Sequence, residues 1–177
     1  MSSDEQLIMQ VLILRCQIGD PGALAELIAK YEGPLRYFIS RLLGGLEMTE
    51  DIFQDTWLSV LRCISTLKNA DAFAAWLYRI ARNKVYHQLR RKKRLTEINE
   101  SLVVPDVVEE PTFSAEDAAG IHKSLTTLMP QYKEVLMLRF LEHMSYQQMA
   151  QVLGCNIGTV RSRLHYAKAA LKRELEK

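Results

Sequence analysis

Apolar residues recur along this chain at three- and four-residue intervals, and the strict alternation of a half-buried strand is nearly absent. Residues 5–18 predict a short apolar-rich helix that stops at Gly19. Asp20-Pro21 is a start signal, a capping carboxylate followed by proline at the first helical position. The helix it opens runs to about Arg41. Gly33-Pro34 predicts a break or kink inside it, because proline lacks the backbone donor and crowds the preceding turn. Gly44-Gly45 closes it. Thr49 predicts the cap of a third helix over 50–64, with Glu50 and Asp51 at the positive end of the helix dipole. Ser65 to Ala70 reads as a loop, and a fourth helix follows from about Asp71 to Arg94.

The composition then shifts. From Leu95 to Gly120 there is no Lys or Arg, but there are Glu97, Glu100, Asp106, Glu109, Glu110, Glu116 and Asp117, with Pro105 and Pro111 among them. This predicts a linker over 95–113 that joins one domain at 1–94 to another at 114–177. Helical patterns resume at about 114–128, 131–142, 146–153 and 157–175. The expected fold class is therefore all-α: an N-terminal helical bundle and a C-terminal helix-turn-helix domain on either side of an acidic linker. A chain of 177 residues, 48% hydrophobic, can bury a core in each half.

Charge changes the picture only through its distribution, because the net charge is just +2. In the fourth helix Phe73, Leu77, Ala81, Val85 and Leu89 recur every four residues and, with Ile80, make a core-facing stripe. Arg79, Arg82, Asn83, Tyr86 and Arg90 lie on another face, and the helix ends in Arg90-Arg91-Lys92-Lys93-Arg94. Such a face suits a polyanion, since Lys and Arg neutralise phosphates and release counterions. Trp76, Tyr78, Tyr86 and His87 offer ring surfaces for unstacked bases. The alternative is an ordinary solvated helix with a positive C-terminal end.

The sharpest local signal lies further on. Ser145-Tyr146-Gln147-Gln148 has the form of a capping box. Met149, Ala150, Val152 and Leu153 make the buried side of a short helix, and Gly154 supplies the left-handed residue that ends it. Asn156 can cap the next helix, whose apolar stripe is Val160, Leu164, Ala167 and Leu171. Thr159, Arg161, Ser162, Arg163, His165 and Lys168 lie largely off that stripe. Two helices joined through a glycine turn predict a DNA-binding helix-turn-helix whose second helix enters the major groove. In the third helix, Phe53, Trp57, Val60, Leu61 and Ile64 are expected to be buried. Asp51, Gln54, Asp55 and Leu58 then share an outer face that is either a protein-docking patch or ordinary solvated acid.

These segments resemble the extracytoplasmic-function subfamily of bacterial sigma factors. Residues Leu128 to Leu138, Ser145 to Gly154 and Gly158 to His165 resemble its C-terminal domain. Glu50 to Trp57 resembles its polymerase-binding helix, and Phe73 to Asn83 its promoter-melting helix. The resemblance implies a transcription-initiation factor. Asp51, Gln54, Asp55 and Leu58 would bind core RNA polymerase at the clamp helices of its largest subunit. Ser65, Thr66, Leu67, Lys68, Asn69, Trp76, Arg79, Arg82, Asn83, Tyr86, His87 and Arg90 would hold the minus-ten element as melted single strand. The Ser65–Ala70 loop would pocket a flipped promoter base. Thr159, Arg161, Ser162, Arg163, His165 and Lys168 would read the minus-thirty-five element as duplex. An anti-sigma protein is a further implied partner. Tyr166 stands where the family commonly has a basic residue, and Ile157 where a polar or acidic one is frequent.

Other classes find little support in the residues. Cys16, Cys63 and Cys155 are far apart and lack zinc spacing, so they read as buried or half-buried thiols in a reducing compartment. The histidines are scattered, with no phosphate loop, HExxH or nucleophile elbow, so no catalytic site, metal or cofactor is expected. His143 reads as a helix-end residue. Asp4 and Glu5 sit where a secretory signal needs basic residues, and no apolar run approaches a membrane span; a cytoplasmic protein without membrane insertion is expected. A stand-alone helix-turn-helix regulator is the alternative function, and an acidic linker folded onto the basic helices is a possible brake on DNA binding.

Overall fold

A computed structural model describes residues 3–98, 125 and 127–175, and among these there is no strand. The helices are α1 (Ser3–Gln17), α2 (Pro21–Leu43), α3 (Thr49–Cys63), α4 (Phe73–Ile98), α5 (Pro130–Leu136), α6 (Tyr146–Leu153) and α7 (Ile157–Leu175). Single 3-10 turns at Ile64–Thr66 and Ala70–Ala72 take up both ends of the span expected to be plain loop. The expected 95–113 linker lies outside the described residues apart from 95–98, which extend α4. The predicted 114–128 helix is described only at its end.

Local chemistry explains most boundaries. The Asp20 carboxylate accepts from the backbone N–H groups of Gly22 and Ala23, at 2.9 and 3.2 Å, and receives Arg15 at 2.8 Å. The Ala23 bond and the Arg15 contact hold its pKa below the usual value. Gly44, in the left-handed region at φ 77°, closes α2. The break expected at Gly33-Pro34 is absent: α2 runs through both. They lie on its exposed side, where the Lys30 carbonyl that loses its Pro34 donor is open to water. Thr49 is not a cap either. It is the first residue of α3, buried, with its hydroxyl donating to the Gly45 carbonyl, and Met48 takes the cap position at φ 66°. Around α6 the expectation holds in detail. Ser145 and Gln148 cap each other reciprocally, Gly154 ends the helix at φ 64°, and Asn156 Oδ1 accepts from the Thr159 N–H at 2.7 Å.

The first four helices pack round Phe38, Leu35, Leu77, Tyr78, Phe73 and Val60, all essentially sealed from solvent. Phe38 and Tyr78 meet edge to face at 5.0 Å. Phe73, Leu77, Ala81 and Val85 of the α4 stripe are buried as expected and Ile80 and Leu89 are half-buried, but Tyr78 is buried with them and offers no surface to a base. Leu61, expected inside, is 55% exposed, and Cys63, expected to be sheltered, is exposed. α1 has two apolar sides. Met9, Leu12, Ile13 and Cys16 face the core, whereas Leu7, Ile8, Val11 and Leu14 face solvent.

The second half is not separate. α6 packs on α4, α5 packs on α2, and one hydrophobic cluster runs through both halves. α5 passes into a π turn over Met137–Leu141, where the Glu142 N–H donates to the Met137 carbonyl. That wider turn ends at His143, at φ 51° before α6, and sets Glu142 against Tyr78 and Tyr31 of the first half. The sealed Tyr78 hydroxyl has no partner in full hydrogen-bonding geometry, and the Glu142 carboxylate is the polar group closest in effect. Burial pushes the Glu142 carboxyl above the usual carboxylate range. Burial, with the Glu142 charge, lifts Tyr31 to about 12.

Two outcomes follow. Ser145→Ala removes the acceptor that satisfies the Gln148 N–H and should lower stability by about 1 kcal/mol in urea unfolding. Glu142 binds its proton more tightly folded than unfolded, so its contribution to stability is most favourable below the ordinary Glu pKa and declines as pH rises through the shifted one. Wild type should therefore lose stability relative to Glu142→Gln across that window and run parallel to it above, as thermal unfolding against pH would report.

Candidate nucleic-acid interface

Three surfaces carry the residues singled out above. The first is the outer row of α3. Asp51, Gln54, Asp55 and Leu58 are all exposed, and Leu61 joins them one turn on. Gln54 donates to Glu50 at 3.1 Å, Glu50 also pairs with Arg36, and Lys84 of α4 approaches Asp55 at 3.9 Å. Arg36 lies 4.0 Å over the Phe53 ring, which fixes the cation beside this acidic row. The result is two exposed leucines bordered by carboxylates, a surface suited to a protein partner.

The second surface is α4 with the segment before it. Arg79, Asn83, His87 and Arg90 are exposed, and Trp76 is half-buried with its ring 6.0 Å from that of Phe73. From Arg79 to Arg90 the helix rises about 16 Å. Arg82 and Tyr86 sit on the flank towards the second half. The Arg82 guanidinium stacks 4.6 Å over the Tyr86 ring, while its Nε donates to Glu134 Oε1 at 2.9 Å. Glu134 is 1% exposed. Burial and the Glu134 charge together push the Tyr86 hydroxyl up to about 12. The basic face predicted as one surface is thus divided: Arg79, Asn83 and Arg90 face water, and Arg82 is engaged.

The segment that leads into α4 is held from outside. Gln17 at the end of α1 donates to the Ile64 and Leu67 carbonyls, at 3.0 and 2.8 Å. Gln10, two turns earlier, donates to Asp71 at 3.0 Å. Asn69 Oδ1 accepts from the Asp71 N–H and so stiffens the segment locally. Ser65, Thr66, Lys68 and Asn69 remain exposed, with Leu67 half-buried between them.

The third surface is α7. Arg161, Ser162, His165 and Lys168 are exposed, and Arg161, His165 and Lys168 recur at i, i+4 and i+7, one helix face. Lys168 lies 5.4 Å over Phe140 and Arg161 6.0 Å from Tyr146, while His165 meets Tyr166 at 5.5 Å. Thr159 is half-buried and gives its hydroxyl hydrogen to Asn156. Arg163 lies on the far flank, half-buried and near enough to Tyr86 for its charge to act on that hydroxyl.

Sequence reasoning did not single out Gln10, Gln17, Glu134 or Glu142. The apolar environment of Glu134 and the helix-end position of Gln17 are visible in the chain, but nothing local says which carbonyl or cation each will meet. Among the described residues no group of His, Cys, Asp and Glu is placed to hold a metal ion, and no helix is long and apolar enough to cross a membrane.

Sigma-70 region 2 matches residues 27–95 and Sigma-70 region 4 matches 119–171. The ECF RNA polymerase sigma-E factor of Haemophilus influenzae is 29% identical, over 97% of each chain. The ECF RNA polymerase sigma factor SigW of Bacillus subtilis is 25% identical, over 96% of this chain and 98% of its own. Among solved structures, the sigma factor RpoE of Bartonella quintana, in complex with the anti-sigma factor NepR, superposes with a TM-score of 0.77 at 26% identity, covering 86% of this chain and 96% of its own. CnrH, in complex with the cytosolic domain of CnrY, gives 0.67 at 25% identity over 94% and 96%. Two sigma-70 regions matched in order, joined by relatives aligned almost end to end, make this chain a member of the ECF family of RNA polymerase sigma factors.

Proposed function

We propose that this sigma factor directs initiation through three separate contacts. The outer row of α3, Asp51, Gln54, Asp55 and Leu58, with Leu61 added, docks on the clamp helices of core RNA polymerase. Arg79, Asn83 and Arg90 of α4, with Trp76, His87 and, once released from Glu134, Arg82 and Tyr86, hold the melted minus-ten strand. The Ser65–Asn69 segment takes the flipped base. Arg161, Ser162, His165 and Lys168 of α7 read the minus-thirty-five duplex, Arg161 and Lys168 as cations for phosphate or a guanine edge. Thr159 orders the start of that helix, and Arg163 borders the other half until the two separate. The protein acts in the cytoplasm, without catalytic chemistry of its own, and an anti-sigma protein is its regulator.

The observation that carries this reading is the coexistence, in one chain, of two cationic rows on separately built helices: Arg79 to Arg90 on α4 and Arg161 to Lys168 on α7. A single strand needs a groove or face with stacking rings beside cations, as Trp76 and His87 lie beside Arg79 and Arg90. Duplex needs a helix presented end-on by a preceding helix, as α6 presents α7. A stand-alone regulator has no use for the exposed leucines and acids of α3 and is not favoured. The anti-sigma assignment draws support from the RpoE–NepR complex to which this chain is similar.

Transcription with purified core polymerase and a promoter library should begin at defined sites only when this chain is added. Asp51→Ala with Asp55→Ala should reduce co-purification with polymerase and leave duplex binding intact. Arg161→Ala should weaken upstream duplex binding by roughly 1–3 kcal/mol and leave polymerase association unchanged. The same defect from both sets would sink the separation of surfaces. Gln17→Ala should change the base preferred at one minus-ten position in that library, because it frees the Ile64 and Leu67 carbonyls. A uniform drop across all promoters, with preferences unmoved, would assign Gln17 to stability alone.

A further inference from the structure

α1 uses its two sides differently. Met9, Leu12, Ile13 and Cys16 lie in the core, and Gln10 and Gln17 are tied to Asp71 and to the Ile64 and Leu67 carbonyls. The opposite side takes no part in that packing. Leu7, Ile8, Val11 and Leu14 are 60, 66, 49 and 58% exposed, and Ile18, whose N–H still donates to the Leu14 carbonyl, is 84% exposed. Single exposed leucines are ordinary on a protein surface, but a run of five large apolar side chains along one helix face is not. Beside them the surface dips into an open groove of about 260 Å3 between α1 and α2, lined by Leu7, Ile8, Val11, Leu12, Arg15 and Glu26.

Spacing and charge together specify what would cover this face. Leu7, Val11, Leu14 and Ile18 follow one another at intervals of four, three and four, the spacing of a seam between two helices packed along their length. From Ser3 to Glu32, which spans α1 and the first part of α2, there are five acids, Asp4, Glu5, Asp20, Glu26 and Glu32, against two bases, Arg15 and Lys30, in a chain that is +2 overall. The Arg15 cation is already shared between Asp20 at 2.8 Å and Glu26 at 3.3 Å. The border of the seam is therefore acidic. That opposes a second copy of the same face, and it opposes residues 95–120 of this chain, which hold seven acids and no Lys or Arg. We propose that the outer side of α1 is a docking face for a helix of another protein, one with an apolar seam at the same spacing and lysines or arginines along its flanks. The groove beside Val11 takes an apolar side chain of the incoming helix, and the flanking cations lie against Asp4, Glu5 and Glu26. α1 packs on α2 and on the two 3-10 turns before α4, whereas the acidic row with Leu58 and Leu61 belongs to α3, so the two surfaces are separable. Neither polymerase nor promoter contact enters into this docking.

The probe is a fluorescent peptide of 15 residues, the length of α1, stapled into a helix, with leucines at the four-three-four spacing and lysines on either side of them. Fluorescence anisotropy with the full-length chain should show saturable binding, weakened at least about tenfold when glutamates replace the lysines. Val11→Gln with Leu14→Gln, both at exposed positions, should weaken the lysine-flanked peptide at least about tenfold and leave the helical circular dichroism and melting temperature of the chain unchanged. Asp51→Ala with Asp55→Ala should leave its binding unmoved. A photoreactive benzophenone carried in the peptide seam should label α1 or the turn of α2 around Glu26. No saturable binding, equal binding of the two peptides, indifference to the paired Val11 and Leu14 substitution, or labelling of Leu58 and Leu61 on α3 would each overturn the proposal. So would a dimer of the chain alone in sedimentation equilibrium that the paired substitution dissolves, since the face would then belong to a second copy.

Discussion

A carboxylate taken out of water is the most demanding group a fold can contain, and the position of Glu134 sets much of what surrounds it. Its solvation is lost almost completely, so the charged form is tenable there only with a cation delivered to it. Arg82 comes from the other half of the chain, 52 residues earlier. Breaking a pair like this from one side costs on the order of 3–5 kcal/mol, because the surviving charge is left stranded. That is comparable to a sizeable part of the whole stability of a domain. The packing of α6 on α4 and of α5 on α2 is therefore tied to one hydrogen-bonded contact as well as to apolar area.

α4 shows how one helix can divide its circumference. One third is the stripe Phe73, Leu77, Ala81 and Val85, which builds the core. One third is the open row of Arg79, Asn83 and Arg90. The remainder, Tyr78, Arg82 and Tyr86, faces the second half, with Tyr78 sealed and Arg82 and Tyr86 half-buried. The aromatic rings differ accordingly: Tyr78 is sealed, Trp76 and Tyr86 are half-buried, and His87 is exposed. Binding chemistry can be read along this helix only after the part used for packing has been subtracted.

That subtraction is what the sequence did not supply. Capping and turn chemistry were legible because they act within four residues: Asp20, Gly44, Ser145 with Gln148, Gly154 and Asn156 all stand where their residue types predict. The helical periods of α4 and α7 were legible for the same reason. Misreadings arose where tertiary surroundings decide. Pro34 is tolerated because its side of α2 faces water. Thr49 is drawn inside the helix by the Gly45 carbonyl. Leu61 and Cys63 are exposed at the end of α3, where Val60 and Ile64 are the residues taken into the core. Spacing placed most residues of the three candidate surfaces on exposed helix faces. The pairing of Arg82 with Glu134, and the turning of Arg163 away from Arg161, depend on contacts between residues far apart in the chain, and no local pattern encodes them.

Gln17 lies outside the proposed strand contacts, yet it suspends the segment between α3 and α4 from the end of α1 by two carbonyls. On the proposed reading, drift in the first helix is inherited as altered taste in promoters, with every proposed contact residue unchanged. Paralogues could diverge in the genes they switch on by repacking a neighbour, and a comparison of contact residues alone would rank them as identical.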